Sequence, residues 1–254
     1  SLCEGLDVGQ IYKLGFANSR PDQLISGWQD NGVNLLKDQV HAQVLGADGF
    51  HCLIDPNEPD TLIASEYFGK SHRSLDGGWT WEPWVASNGE GVDEKGDWNT
   101  PMSYSPSNAD RVFVAKHRLY WTDDLGATWQ ETDALPGAEM EVLALAPSND
   151  STAIVARGSL AFITQNLQNW TPLVGLPGLP VQDVVIDHAD AEVFWVAFGG
   201  YVAGQRLWQT LDGGASWIDA GEGLPAIPVN TLARHETSGD LYAGTDAGVY
   251  VLTT

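Results

Sequence analysis

Apolar residues along this chain fall in short runs, many with every second position polar, and the runs are broken by Gly, Pro, Asn, Asp and Ser. That texture predicts β-strands joined by tight turns. The runs come in groups of four: 10–16, 24–27, 33–37 and 41–45, then 50–54, 62–66, 69–74 and 81–85. A third group is 102–104, 112–116, 118–122 and 130–132, and a fourth is 142–145, 153–157, 159–164 and 171–173. The fifth is 181–186, 193–198, 205–210 and 218–219, and a last segment supplies only 229–234, 240–244 and 248–252. Turns such as Asp55-Pro56-Asn57, Ser105-Pro106-Ser107 and Ala146-Pro147-Ser148 recur between first and second runs. The one long unpatterned stretch, 87–99, is rich in Gly and acid and reads as an extended surface loop.

A repeat overlies the groups. It is Ser74-Leu75-Asp76-Gly77-Gly78-Trp79-Thr80-Trp81, then Thr122-Asp123-Asp124-Leu125-Gly126-Ala127-Thr128-Trp129, then Thr210-Leu211-Asp212-Gly213-Gly214-Ala215-Ser216-Trp217. A degraded copy, Thr164-Gln165-Asn166-Leu167-Gln168-Asn169-Trp170, is one residue short. Successive copies start 48, 42 and 46 residues apart, the spacing of one four-stranded propeller blade. Asp two places after Ser or Thr accepts backbone N–H groups and closes a turn. Gly two further on takes a positive φ, and Trp packs beneath the turn as the next strand begins. The expected fold is therefore all-β: a single β-propeller over 1–254 with about six four-stranded blades. Residues 2–4 would supply the fourth strand of the last blade and close the ring, removing an exposed sheet edge. Seven blades, or a fragment of a larger propeller, are the alternatives.

Charge narrows the partners. Acidic residues outnumber basic ones 34 to 12, giving a net charge of −22. Such a field repels phosphates, which argues against nucleic acid and anionic lipid surfaces. No run reaches the roughly 18–20 apolar residues of a membrane-spanning helix. Cys3 and Cys52 map to an outermost and an innermost strand of different blades, so both are read as packed thiols rather than a disulfide.

The pattern S/T-x-D-x-G-x-x-W is the Asp-box, or BNR repeat, and it is similar to those of sialidases, xyloglucanases and the sortilin/Vps10 group. Gly27-Trp28-Gln29-Asp30-Asn31-Gly32 resembles the G-x-Q-D-N-G segment of sortilin-like repeat proteins of secreted Bacteroidetes surface proteins. Gly46-Ala47-Asp48-Gly49-Phe50 resembles the G-G-D-G segment that follows it there. The resemblance implies a secreted or cell-surface location, within a larger surface protein or assembly, and a structural role for Asp76, Asp124 and Asp212 away from the ligand face.

Candidate chemistry is thinner. The seven Arg are scattered and the F/Y-R-I-P motif is absent, which argues against a sialidase. No nucleophilic triad or transition-metal spacing emerges among His41, His51, His72, His117, His188 and His235. Glycoside hydrolysis needs two carboxylates flanking a sugar bond, and Asp30, Asp48, Asp183 and Asp187 are candidates whose spacing singles out no pair. The xyloglucanases that share the Asp-box place their cleft between two propellers, and this chain holds one. No cofactor is expected; calcium on Asp30, Asn31 and Asp48 is the alternative to side chains that only cap turns. Trp28 and Trp98, near amides and carboxylates, are the candidate surface anchors. The leading expectation is a non-catalytic extracellular recognition module that binds a protein or glycan through Trp28, Gln29, Asp30, Asn31, Asp48 and Trp98. A glycoside hydrolase using a carboxylate pair and a plain scaffold domain are the alternatives.

Overall fold

The computed structural model describes residues 9–85, 92, 94–135, 137 and 139–253. Blade one is β1 (Ile11–Phe16), β2 (Leu24–Trp28), β3 (Gly32–Lys37) and β4 (Val40–Leu45). Blade two is β5 (Cys52–Ile54), β6 (Leu62–Ser65), β7 (Ser71–Ser74) and β8 (Glu82–Val85). Blade three is β9 (Met102–Tyr104), β10 (Val112–Ala115), β11 (Leu119–Thr122) and β12 (Gln130–Glu131). Blade four is β13 (Val142–Leu145), β14 (Ala153–Arg157), β15 (Leu160–Thr164) and β16 (Thr171–Pro172). Blade five is β17 (Val181–Ile186), β18 (Phe194–Phe198), β19 (Leu207–Thr210) and β20 (Ile218–Asp219). Blade six contributes β21 (Val229–Arg234), β22 (Leu241–Thr245) and β23 (Gly248–Leu252). Each sheet is an antiparallel meander in chain order, and together the six form a β-propeller. The fourth strand expected from 2–4, and Cys3 with it, lies outside the described residues.

Apolar residues sit between blades rather than inside one. Ile25, Val33 and Leu35 of blade one pack on Cys52, Ile54 and Leu62 of blade two. Ile63, Trp84 and Val85 meet Met102, Val112 and Tyr120 in the next wedge, and similar wedges continue to blade six. Both faces of each middle strand are covered, so β6, β10 and β14 are near-continuous runs of Val, Ile, Leu and Ala. Fully buried side chains such as Phe113, Ile154 and Phe194 each contribute about 1.5–3 kcal/mol. Cys52 is a buried free thiol whose ionisation burial suppresses.

The three Asp hairpins close the third-to-fourth strand turns of blades two, three and five in the same way. Asp76 Oδ1 accepts the Thr80 N–H at 2.9 Å and Oδ2 the Thr80 hydroxyl at 2.6 Å, while Ser74 Oγ accepts the Gly78 N–H. Asp124 with Thr128, and Asp212 with Ser216, repeat the set. Hydrogen bonds from Thr80 and Thr128 hold the Asp76 and Asp124 carboxyls at about 2, and those from Ser216 lower Asp212. Gly78, Gly126 and Gly214 all stand at φ 92°, a conformation that a side chain would strain. A Cβ on Gly126 would also run into the Trp84 indole of the blade before it.

Antiparallel alternation gives the propeller two faces. The upper face carries the loops into each innermost strand and the β2–β3-type turns; the lower face carries the first-to-second strand turns and the repeated hairpins. Innermost strands β1, β17 and β21 each carry a bulge near their start, so that Lys13, Asp183 and Thr231 stand at matching positions along the channel. Asp183 Oδ2 accepts the Thr231 hydroxyl at 2.9 Å and the Leu232 N–H at 2.8 Å, joining blade five to blade six.

Candidate functional site

On the upper face of blades one and two, two loops named by the sequence meet. The β2–β3 turn places Asp30 at φ 58°, a left-handed position that Asp tolerates better than most residues. Its backbone N–H donates to Asp48 Oδ1 at 2.5 Å, and the Gly49 N–H donates to the Trp28 carbonyl at 3.1 Å. Gln29 is tied through its N–H to the Gln10 carbonyl, at the mouth of β1. The Asn31 carbonyl accepts amide N–H groups from Asn34 and Gln43, and its own amide returns to the Gln29 carbonyl. Asp30 is exposed and Asp48 half-buried, so the two carboxylates share one rim.

Aromatic side chains extend this rim. Phe50, two residues past Asp48, stacks on Tyr12 at 4.7 Å and meets the edge of Trp98 at 5.6 Å. Trp98 lies parallel to Tyr67, with centroids 5.6 Å and planes 11° apart. Tyr67 and Trp98 remain 40% and 45% exposed, enough to offer a flat apolar surface beside the acids.

Trp98 is held there by the loop residues 94–99; residues 87–91 and 93 of the surface loop expected over 87–99 lie outside the described residues. Val92 is buried, the Phe68 N–H donates to the Trp98 carbonyl, and the Gly96 N–H donates back to the Phe68 carbonyl. Lys95 Nζ lies 3.7 Å above the Phe68 ring. From blade three, the fully buried Lys116 donates to the Glu94 carbonyl at 2.6 Å and the His117 N–H donates to the Glu94 carboxylate at 2.8 Å. Burial lowers the Lys116 ammonium to about 8, the nearby Glu94 carboxylate opposing. Burial also disfavours ionisation of Glu66 beneath Tyr67, yet hydrogen bonds from Lys70 and His72 hold its carboxyl below the ordinary value.

The other sequence candidates separate. Trp28 is half-buried, with its Nε1–H donated to Ser26 Oγ at 2.6 Å and Gly9 pressed against its six-membered ring, so it fills the blade rather than standing out as an anchor. Asp183 is spent on blade six, and burial raises its carboxyl. Asp187 pairs with Arg234 at 2.6 Å. Trp84 is buried, and Trp81 packs partly buried in the blade-one wedge. His51, desolvated beside the channel, is lowered to about 3, with Lys13 adding repulsion. Among the described residues, no three His, Cys, Asp or Glu side chains converge as metal ligands. Tyr67, Phe68 and Phe50 were not singled out from sequence, although Tyr67-Phe68-Gly69 at the β6–β7 turn marked an aromatic loop.

No protein-family model matches this chain, and neither does any curated protein. Solved structures do. The GH74 xyloglucanase from Xanthomonas campestris is similar with a TM-score of 0.72 at 16% identity, over 95% of this chain and 44% of its own. The Niastella koreensis GH74 enzyme gives 0.71 at 14% identity, over 95% and 44%. An ancestral GH74 enzyme gives 0.71 at 13% identity, over 96% and 38%. The chain thus spans about two fifths of the length of the structures it matches. At these identities the likeness is one of fold alone, and the fold of this chain is a six-bladed β-propeller.

Proposed function

We propose that this propeller is a carbohydrate-active domain of the glycoside hydrolase kind, taking an uncharged glycan across the upper face of blades one and two. One observation carries the reading: Asp30 and Asp48 share a rim with the exposed Tyr67–Trp98 stack, on a fold that solved GH74 enzymes also have. Aromatic faces bind the apolar faces of sugar rings. The two carboxylates supply the acid and the base or nucleophile that cleavage of a glycosidic bond requires. The charge of −22 favours a neutral glycan over a polyuronate. The repeated hairpins are Asp-boxes under this reading, and an extracellular setting belongs with it.

A second reading, recognition without cleavage, is favoured by Asp48 Oδ1, which is already engaged by the Asp30 N–H. The test is incubation with xyloglucan and mixed-linkage glucan, read by reducing ends and by calorimetry. Hydrolysis lost in Asp48→Asn and Asp30→Asn, with binding kept, supports the enzyme. Binding without products, lost in Trp98→Ala, leaves the recognition module. If no glycan binds, both readings fall.

A further inference from the structure

The turns between second and third strands differ in length around the upper face. They hold two or three residues in blades one, three, four and six, but five in blade two (66–70) and eight in blade five (199–206). In a ring of six, blades two and five stand opposite each other. Each long turn presents a tyrosine, Tyr67 at 40% exposure and Tyr201 at 68%. Tyr67 is stacked on Trp98. Tyr201 has no ring packed on it among the described residues, and Val202 beside it is 48% exposed.

The blade-five turn is pinned at several points. The buried Arg206 donates to the Val202 carbonyl at 2.9 Å and to the Leu224 carbonyl, in the segment leading to blade six, at 3.0 Å. The Trp208 indole donates to the Gly204 carbonyl at 3.1 Å, and the Gly199 N–H to the Pro180 carbonyl at 2.8 Å. Gly200 and Gly204, at φ 101° and 74°, bend the chain on either side of Tyr201. At the foot of the turn the exposed Gln182 lies against Gly199, where an added Cβ would fall 2.9 Å from its Nε2. Its amide has no hydrogen-bond partner among the described residues. An aromatic face, a small apolar side chain and an open amide are groups that hold a sugar ring.

We infer that Tyr201, Val202 and Gln182 form a second sugar-binding platform on blade five, so that the upper face holds one polymeric, uncharged glycan at two opposite points. This rests on the glycan reading proposed above. Sheets packed about 10 Å apart around a six-membered ring set blades two and five roughly 20 Å apart, a span that a polysaccharide covers and a short oligosaccharide does not. Between the platforms, by way of blades one and six, lie Asp30 and Asp48 and then Asn230, whose amide donates to Asp246 at 2.8 Å. Two holds on one chain reinforce each other, because the second engages at the high effective concentration set by the first.

The test is titration of the whole chain with polymeric xyloglucan and with cellotriose, read by calorimetry and by NMR shifts. Tyr201→Ala should weaken polymer binding about tenfold with Tm unchanged, while Tyr201→Phe, which keeps the ring, should bind as the unaltered chain does. Cellotriose should occupy the platforms separately, giving two sites in the unaltered chain and one each in Tyr201→Ala and Trp98→Ala. Polymer binding that Trp98→Ala removes and Tyr201→Ala leaves untouched overturns this inference while the glycan reading stands. So does a single cellotriose site that Tyr201→Ala does not affect. If neither ligand binds, the glycan reading falls and the second platform falls with it.

Discussion

At the scale of single residues, the hairpin carboxylates are caps whose protonation costs hydrogen bonds. Asp76 and Asp124 titrate at about 2 in the folded chain against about 3.9 for free Asp. Their contribution is therefore present above pH ~4 and lost as pH falls toward ~2. Urea midpoints should decline through that window, and Asp76→Asn with Asp124→Asn should flatten the decline. A midpoint profile that the double variant leaves unchanged would exclude the caps as its cause. His51 acts at higher pH with the same sense. Its folded value of about 3 lies below the ~6.5 of a free imidazole, so the neutral ring is favoured and stability falls from pH ~6.5 downward. His51→Gln should remove that upper part of the slope in the same titration.

At the scale of elements, every strand follows the grouping of apolar runs, with shifts of a residue or two at the ends. Val142–Leu145, Val181–Ile186 and Gly248–Leu252 begin and end where the pattern does. The reason is local: turn chemistry and the Asp–Gly–Trp hairpin fix boundaries within a few residues. The site was less legible. Trp98 stands out in the sequence, but its platform depends on Tyr67 and Phe50, far off in the chain and joined only by folding. Trp28 reads as exposed because it precedes a polar turn, yet its indole finds Ser26 two residues back. The 94–99 loop carries no strand pattern because its order comes from Lys116 and Phe68 in other elements. Junctions between elements are also where substitutions should cost most. Gly126→Ala meets both a φ of 92° and the Trp84 indole, and is expected to cost about 1–3 kcal/mol by chemical denaturation. Ala127→Gly, next to it and exposed, is the control; comparable losses would discount the junction.

At the scale of the whole molecule, a ring of wedges spreads the apolar core, while the 34 acids spread repulsion over the surface. Some acids are tied across blades: Arg111 bridges Asp123 of its own blade and Asp150 of blade four, and Arg20 reaches Asp60 of blade two. With 12 basic residues most acids have no such partner, so screening should relieve more repulsion than attraction. Tm should rise between 10 mM and 500 mM sodium chloride; a fall would mean that the bridges outweigh the field.

The hairpin of blade four differs in kind. Its Asn166 Oδ1 accepts the Gln168 and Asn169 N–H groups at 2.9 and 3.1 Å, and an amide has no proton to gain. Acid therefore reaches the clasps of blades two, three and five but finds no switch in blade four. Acidification weakens the three Asp clasps together and leaves the hydrogen bonds of the blade-four clasp in place.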